Sequence, residues 1–199
     1  MQNKTVTGIL MVLVVASLAW SAFLGYKVSQ LEKLMAPVKA QQTAQARQTA
    51  LRAKFNQEMA QDRQKYSREQ LADAERLYQV ANQKWGTLEA SNSLQEMIQK
   101  YPDIDRTGCA VLYVAQMSQG GDRTLYLQDC IDKYNDCFYG DGVQVGVYAR
   151  FLLAQDYQKN RETQKAKALL DEIKTQYPGA VDHGGNLLVD SIKGNKKLD

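Results

Sequence analysis

Histidine is nearly missing from this chain. His183 is the one example in 199 residues, which excludes most histidine-based metal sites and argues against triad chemistry. Cysteine is scarce too: Cys109, Cys130 and Cys137 lack the Cys-x-x-Cys spacing of a zinc or redox site. None precedes residue 109, which argues against a lipoprotein. A strong net charge is also absent, with 25 Lys and Arg against 22 Asp and Glu. No aromatic-studded basic patch compensates, so nucleic acid is not an expected partner. Gly120-Gly121 is not followed by Lys and Ser or Thr, so it does not make a phosphate loop. No catalytic residue, cofactor or metal is expected, and the chain does not read as an enzyme.

What is present is a repeated phrase. Leu94 to Asp103 reads Leu-Gln-Glu-Met-Ile-Gln-Lys-Tyr-Pro-Asp, and Leu127 to Asp136 reads Leu-Gln-Asp-Cys-Ile-Asp-Lys-Tyr-Asn-Asp. A looser copy runs from Leu169 to Gly179. Each copy reads as a short amphipathic helix ending at a Tyr and a breaker. Tyr101 and Tyr134 are 33 residues apart, close to the period of helical-hairpin repeats, and Tyr134 and Tyr177 are 43 apart, one such period plus an insertion.

Residues 1–6 form a short tail. Thr7 to Tyr26 then carries no charge across 20 residues, about the length of a bilayer-spanning helix, with Trp20 and Tyr26 where interfacial aromatics belong. The expectation is a transmembrane signal anchor over 7–26. The alternative is a cleavable signal peptide with its small-residue site at Ser17-Leu18-Ala19, but the apolar run continues past that site. Lys27, Lys33 and Lys39 against Lys4 favour a cytoplasmic domain, whereas a short tail before a signal anchor favours export; export to the periplasm is the expectation.

Residues 27–66 read as a helical juxtamembrane stalk, rich in good helix formers, with Pro37 kinking or breaking it near Ala36. From Ala44 the heptad positions are Ala44, Gln48, Leu51, Phe55, Glu58 and Asp62. With only Leu51 and Phe55 large and apolar, a solvated spacer is the first expectation, and a coiled coil giving a homo-oligomer is the alternative.

Residues 67–193 form the repeat domain, followed by a polar tail over 194–199. The helices expected are Ser67–Lys84, with a capping-box start at Ser67 and Gln70, Leu88–Tyr101, Asp105–Gln119, Arg123–Tyr134, Val143–Lys159, Glu162–Gln176 and a capping helix Gly185–Lys193. Trp85-Gly86, Gly120-Gly121-Asp122 and Tyr139-Gly140-Asp141-Gly142 are the expected turns. One hairpin cannot bury its apolar face alone, and stacking three builds a continuous core.

These hairpins resemble tetratricopeptide repeats (TPRs). In the third unit Leu153, Ala154, Tyr157, Ala166, Leu170, Ile173 and Pro178 stand at that family's characteristic positions. In the first, Leu77, Ala90, Leu94 and Pro102 fit, while Tyr78 and Ala81 depart from it. In the second, Arg123 replaces the packing Ala and Asn135 the Pro. The fold class implied is all-α: a membrane helix, a stalk, then three stacked hairpins as a TPR-like α-solenoid with a capping helix. One membrane helix before an exported repeat domain is similar to bacterial inner-membrane proteins of the ancillary translocon-subunit type, and the repeated phrase is similar to that of the division coordinator linked to the Tol-Pal system.

The resemblance implies a groove lined by the first helix of each hairpin, receiving other proteins or peptides. Tyr78, Gln79, Tyr113, Gln116, Tyr148 and Gln155 are the candidates to face it. Pairing of the third and fourth helices sets Cys109 across from Asp132, between Cys130 and Cys137. A disulfide Cys109–Cys137 is the preferred pairing, Cys130 the alternative partner, and three partly buried thiols the plain reading. His183 beside Asp182 reads as part of a turn, and Tyr134 to Gly142 as an inter-hairpin loop whose Phe138 and Tyr139 pack on the array or form part of a binding surface. The expected function is a membrane-anchored adaptor of the bacterial cell envelope; the alternative is a tethered spacer self-associating through its stalk.

Overall fold

A computed structural model describes the backbone of residues 2–194 and the side chains of residues 20, 21 and 23–193. The described residues are all-helical: α1 (Gln2–Lys65), α2 (Arg68–Gln83), α3 (Leu88–Lys100), α4 (Asp105–Met117), α5 (Gly120–Asp132), α6 (Val145–Lys159), α7 (Thr163–Gln176) and α8 (Leu188–Gly194). They fall into two compact units, Met1–Ala44 and Gln45–Asp199.

In the first unit α1 runs through Pro37 without the break expected at Ala36. The carbonyl that Pro37 leaves without a donor belongs to Lys33, which is exposed, so water can take its place. Among the described residues no helix is long and apolar enough to cross a membrane. The anchor expected over 7–26 falls mostly on residues 7–19, whose side chains lie outside the described set.

The second unit begins at Gln45, well before the expected boundary at residue 67. Residues 45–65 are no solvated spacer but a strap on the repeats. Leu51 lies over Gly142, Phe55 over Gly140 and Gln48 over Gly185. Asp62, 1% exposed, accepts from the Asp105 backbone N–H at 3.1 Å. Ile104 at the α4 N-cap offers no side-chain acceptor, so the strap supplies the missing cap. The narrow apolar stripe of Leu51 and Phe55 thus finds its partner inside the chain.

The hairpins α2/α3, α4/α5 and α6/α7 pack in sequence, and the first helices α2, α4 and α6 also neighbour one another. The capping box at Ser67 and Gln70 starts α2, and Thr87 caps α3. Tyr101 and Tyr177 close α3 and α7 just before Pro102 and Pro178. The expected Gly120-Gly121 turn instead opens α5, with Ser118-Gln119 as the link. Gly120 takes φ +57° there, a left-handed backbone that suits glycine. Arg123, in place of a packing Ala, reaches Asp156 of α6 at 2.5 Å and the Ala115 carbonyl at 3.1 Å. Arg150, 7% exposed, bonds Glu172, Asn135 and the Gly146 carbonyl, so one guanidinium fastens α6 to α7 and to the end of α5.

The insertion behind the 43-residue interval is a loop between α5 and α6, and it occurs twice. Tyr139 N–H donates to Val143, Gly142 to Tyr139 and Val145 to Cys137; Asp182 donates to Asn186, Gly185 to Asp182 and Leu188 to Ala180. Each member of the second set stands 43 residues after its counterpart. Isolated bridges Phe138–Gln144 and Val181–Leu187 close both loops, and Gly142 and Gly185 sit at φ +94° and +79°. The capping helix α8 therefore occupies the place that α6 takes after the first loop. Leu188 and Ile192 bury it against Val147, Phe151, Leu170 and Ile173.

Candidate functional site

Tyr78 on α2, Tyr113 on α4 and Tyr148 on α6 recur every 35 residues, and the hairpin stacking brings them into one aromatic array. Tyr78 stacks on Tyr113 with centroids 5.3 Å apart and planes 11° apart. Trp85 meets Tyr113 edge-on at 5.0 Å. Tyr139, from the first loop, lies 5.9 Å from Tyr113 and 5.0 Å from His183 of the second loop. His183 in turn lies 5.2 Å from Tyr148, and Tyr148 is 6.2 Å from Phe151. Six rings thus join three first helices and two loops, with Phe151 at the far end.

The array has a buried floor and an open edge. Tyr78 and Tyr139 are buried, while Trp85 is 49% exposed and Tyr113 and Tyr148 are half-buried. Burial pushes the Tyr78 phenol far above its ordinary value, aided by nearby Cys109 and Tyr113, and does the same to Tyr139. Both are neutral at any physiological pH. The Tyr139 hydroxyl donates to the Cys109 carbonyl at 3.2 Å. The Arg106 guanidinium sits 4.5 Å from the Tyr78 ring and 5.6 Å from the Phe55 ring and pairs with Glu75 at 3.0 Å. A cleft of about 450 Å³ opens between the strap and the first hairpin, lined by Phe55, Met59, Leu71, Ala74, Ile104 and Arg106 among others.

The glutamines divide. Gln79 joins the array: Asn82 Nδ2 donates to its Oε1 at 3.1 Å, and the Tyr113 hydroxyl donates to Asn82 Oδ1 at 3.0 Å. Gln116 and Gln155 are half-buried and take no part in that network. The Gln116 amide nitrogen is buried and has no hydrogen-bond partner in the described residues.

His183 pairs not with its neighbour Asp182 but with Asp141, Nδ1 donating to Oδ2 at 2.7 Å. Asp182 turns inward and accepts from the Gly184 and Asn186 backbone N–H groups at 2.9 Å each. Burial works against ionisation of Asp141, but the bonds from His183 and from the Val143 N–H outweigh it and its pKa is lowered.

All three cysteines are free and buried, so the candidate Cys109–Cys137 bridge is not formed. The residue on α4 that faces Cys137 is Gly108: a Cβ there would stand 2.8 Å from the Cys137 Sγ. The Cys109 thiol contacts the Phe138 carbonyl at 3.5 Å, while Cys137 approaches Asp105 at 3.9 Å. Burial raises the Cys109 thiol to about 12 and pushes Cys130 and Cys137 higher still.

Among the described residues no group of three or more His, Cys, Asp or Glu side chains is placed to hold a metal ion. No family model, curated protein or solved structure matches the chain. Of the array, Trp85, His183 and Arg106 escaped the sequence reading as site residues. The 35-residue spacing of Tyr78, Tyr113 and Tyr148 was visible, whereas the two loops share too few identities, Gly142 with Gly185 alone among the bonded positions, to align by eye.

Proposed function

We propose that this chain is a membrane-anchored protein-binding scaffold with TPR-like hairpins, and that the aromatic ledge is where a partner segment docks. The observation that carries the reading is the union of Tyr78, Tyr113 and Tyr148, one from each first helix, in a single array with an open Trp85 edge. Rigid tyrosine and tryptophan rings give large contact area at small entropic cost. The strap covers the loop glycines and meets Arg106 beside Tyr78 through Phe55, so the partner segment takes the edge around Trp85, Tyr113 and Tyr148. The uncharged run at Thr7–Tyr26 supports single-pass insertion in a bacterial inner membrane, with the second unit exported. Neither a catalytic step nor a cofactor belongs to this reading.

A photo-crosslinking amino acid at position 113 of the full chain, expressed in a bacterial membrane, tests it. The expected product is a discrete adduct with another protein that disappears on Trp85→Ala with Tyr148→Ala. A probe at exposed Glu96 is the control, and equal labelling from 96 and 113 removes the support for the ledge.

A further inference from the structure

The heptad face that begins at Ala44 is not free to join two chains. Gln48, Leu51 and Phe55 cover the glycines of the two loops, and Asp62 caps α4. The first unit carries a different stripe. Leu24, Val28, Leu31, Met35 and Val38 recur at intervals of four, three, four and three residues, the 3.5-residue period of a two-stranded coiled coil. All five are exposed, from 46% at Val38 to 60% at Leu31. Leu24 lies at the end of the uncharged run, but Val28, Leu31, Met35 and Val38 lie beyond it, and a solvated helix has no use for four large apolar side chains on one line.

The flanking residues identify the occupant. In this register Val28 and Met35 are a positions and Leu24, Leu31 and Val38 are d positions. Val28 at a with Leu24 and Leu31 at d is the pattern that favours two parallel strands, from which Met35 at a and Val38 at d depart. Lys27 then falls at g and Glu32 at the following e, the two positions that meet across a parallel seam. Within its own chain Lys27 has the Phe23 ring, with Nζ 5.6 Å from the centroid, and among the described residues neither Lys27 nor Glu32 has an ion-pair partner. Ser29, Gln30, Lys33 and Ala36 take outward positions, and Pro37 sits at an outward c position, off the seam.

We propose that residues 24–38 form the seam of a parallel homodimer, a second copy of this chain covering the exposed apolar stripe. Fifteen residues span only about 22 Å at 1.5 Å each, short for a coiled coil alone in water. The strength of the seam therefore rests on the anchoring reading, since two anchored copies share a plane and a high effective concentration. A dimer also carries two ledges, which turns a bivalent partner's binding into an avidity effect.

Cysteine crosslinking of the full chain in proteoliposomes tests the seam. Cys109, Cys130 and Cys137 are buried, so the unaltered chain is the blank. Leu24→Cys and Val38→Cys, placed at opposite ends of the stripe, should each give a covalent dimer on mild oxidation, because like ends meet only in a parallel pair. Lys33→Cys, on the outer face, should give none. In the Leu24→Cys background, Glu32→Lys should weaken dimerisation roughly fivefold, as two like-charge contacts per dimer imply, and adding Lys27→Glu should restore it. Alkaline extraction of the same vesicles reads the anchor separately. Extractable protein that still crosslinks leaves the seam standing and removes the anchor. Membrane-retained protein without end-to-end crosslinks, or with equal crosslinking from Lys33→Cys, overturns the dimer.

Discussion

His183 donates to Asp141 across 2.7 Å, and that contact joins two loops that are copies of one another 43 residues apart. The imidazole also makes T-shaped contacts with the Tyr139 and Tyr148 rings, so the second loop is tied to the ledge as well as to the first. Replacing His183 by Ala removes the bond and both ring contacts, with an expected cost of about 1 kcal/mol. His183→Phe keeps the ring contacts and should recover part of it. Asp141 is held below its ordinary pKa, so its contribution is complete above the unfolded carboxylate value near 3.8 and is lost as pH falls through the folded one. Thermal melts below pH 4 should therefore show a smaller gap between wild type and Asp141→Asn than melts at pH 7.

Glu58 has the opposite sign. Burial raises its pKa from 4.5 to about 8, with Asp105, Asp136 and Asp62 adding to the effect and the Phe138 N–H opposing it. Its Oε2 is buried without a partner. Asp62 and Asp105 are raised as well, chiefly by burial. The folded protein thus holds protons that the unfolded chain has released, and stability falls as pH rises from about 4.5 to about 8. The group sits under the strap, so the strap is where the loss appears. Melting temperature should decline across that window, and Glu58→Gln should flatten the decline and stabilise the protein at pH 8. Hydrogen exchange over residues 45–65 should quicken in the wild type over the same range.

Much of this fold could be read from local signals, because those signals act within a few residues. Ser67 with Gln70 set the start of α2, and Pro102 and Pro178 set the ends of α3 and α7 by mechanisms that need no tertiary partner. The strap could not be read that way. Leu51 and Phe55 look the same whether they face a second chain or a glycine eighty-five residues or more downstream (Gly140 and Gly142 in this chain), and only the three-dimensional close approach decides. The same holds for α4, whose cap is Asp62 rather than any residue beside Ile104. For the ledge, the groove implied by the repeat resemblance supplied Tyr78, Tyr113 and Tyr148 as first-helix candidates, while Trp85 and His183 arrive through a turn and a loop whose paths no period encodes.

The three thiols should behave as buried hydrophobes. Burial raises Cys109 to about 12, and the thiolate is the reactive form. A maleimide should label none of the three in the folded protein over minutes. After denaturation without reductant it should label three. A count of one identifies an oxidised pair, which requires Cys109 to rotate away from the Phe138 carbonyl toward Cys137.

Gly108 and Gly146 mark where backbones come closest. A Cβ at Gly146 would stand 2.5 Å from the Asn135 Cα, and one at Gly108 2.9 Å from the Tyr134 Cβ. Both clashes are with main chain or the root of a side chain, which cannot swing aside, so α4 or α6 must move away from the end of α5. Alanine at either position should cost about 1–3 kcal/mol despite its better helix propensity, with Gly146→Ala the worse of the two. Gly121 offers the internal comparison: nothing lies within 4 Å of its Cβ position, and Gly121→Ala should stabilise by roughly 0.5 kcal/mol. Urea titrations of the three variants measure the contrast, and equal midpoints would mean that α5 can shift at no cost.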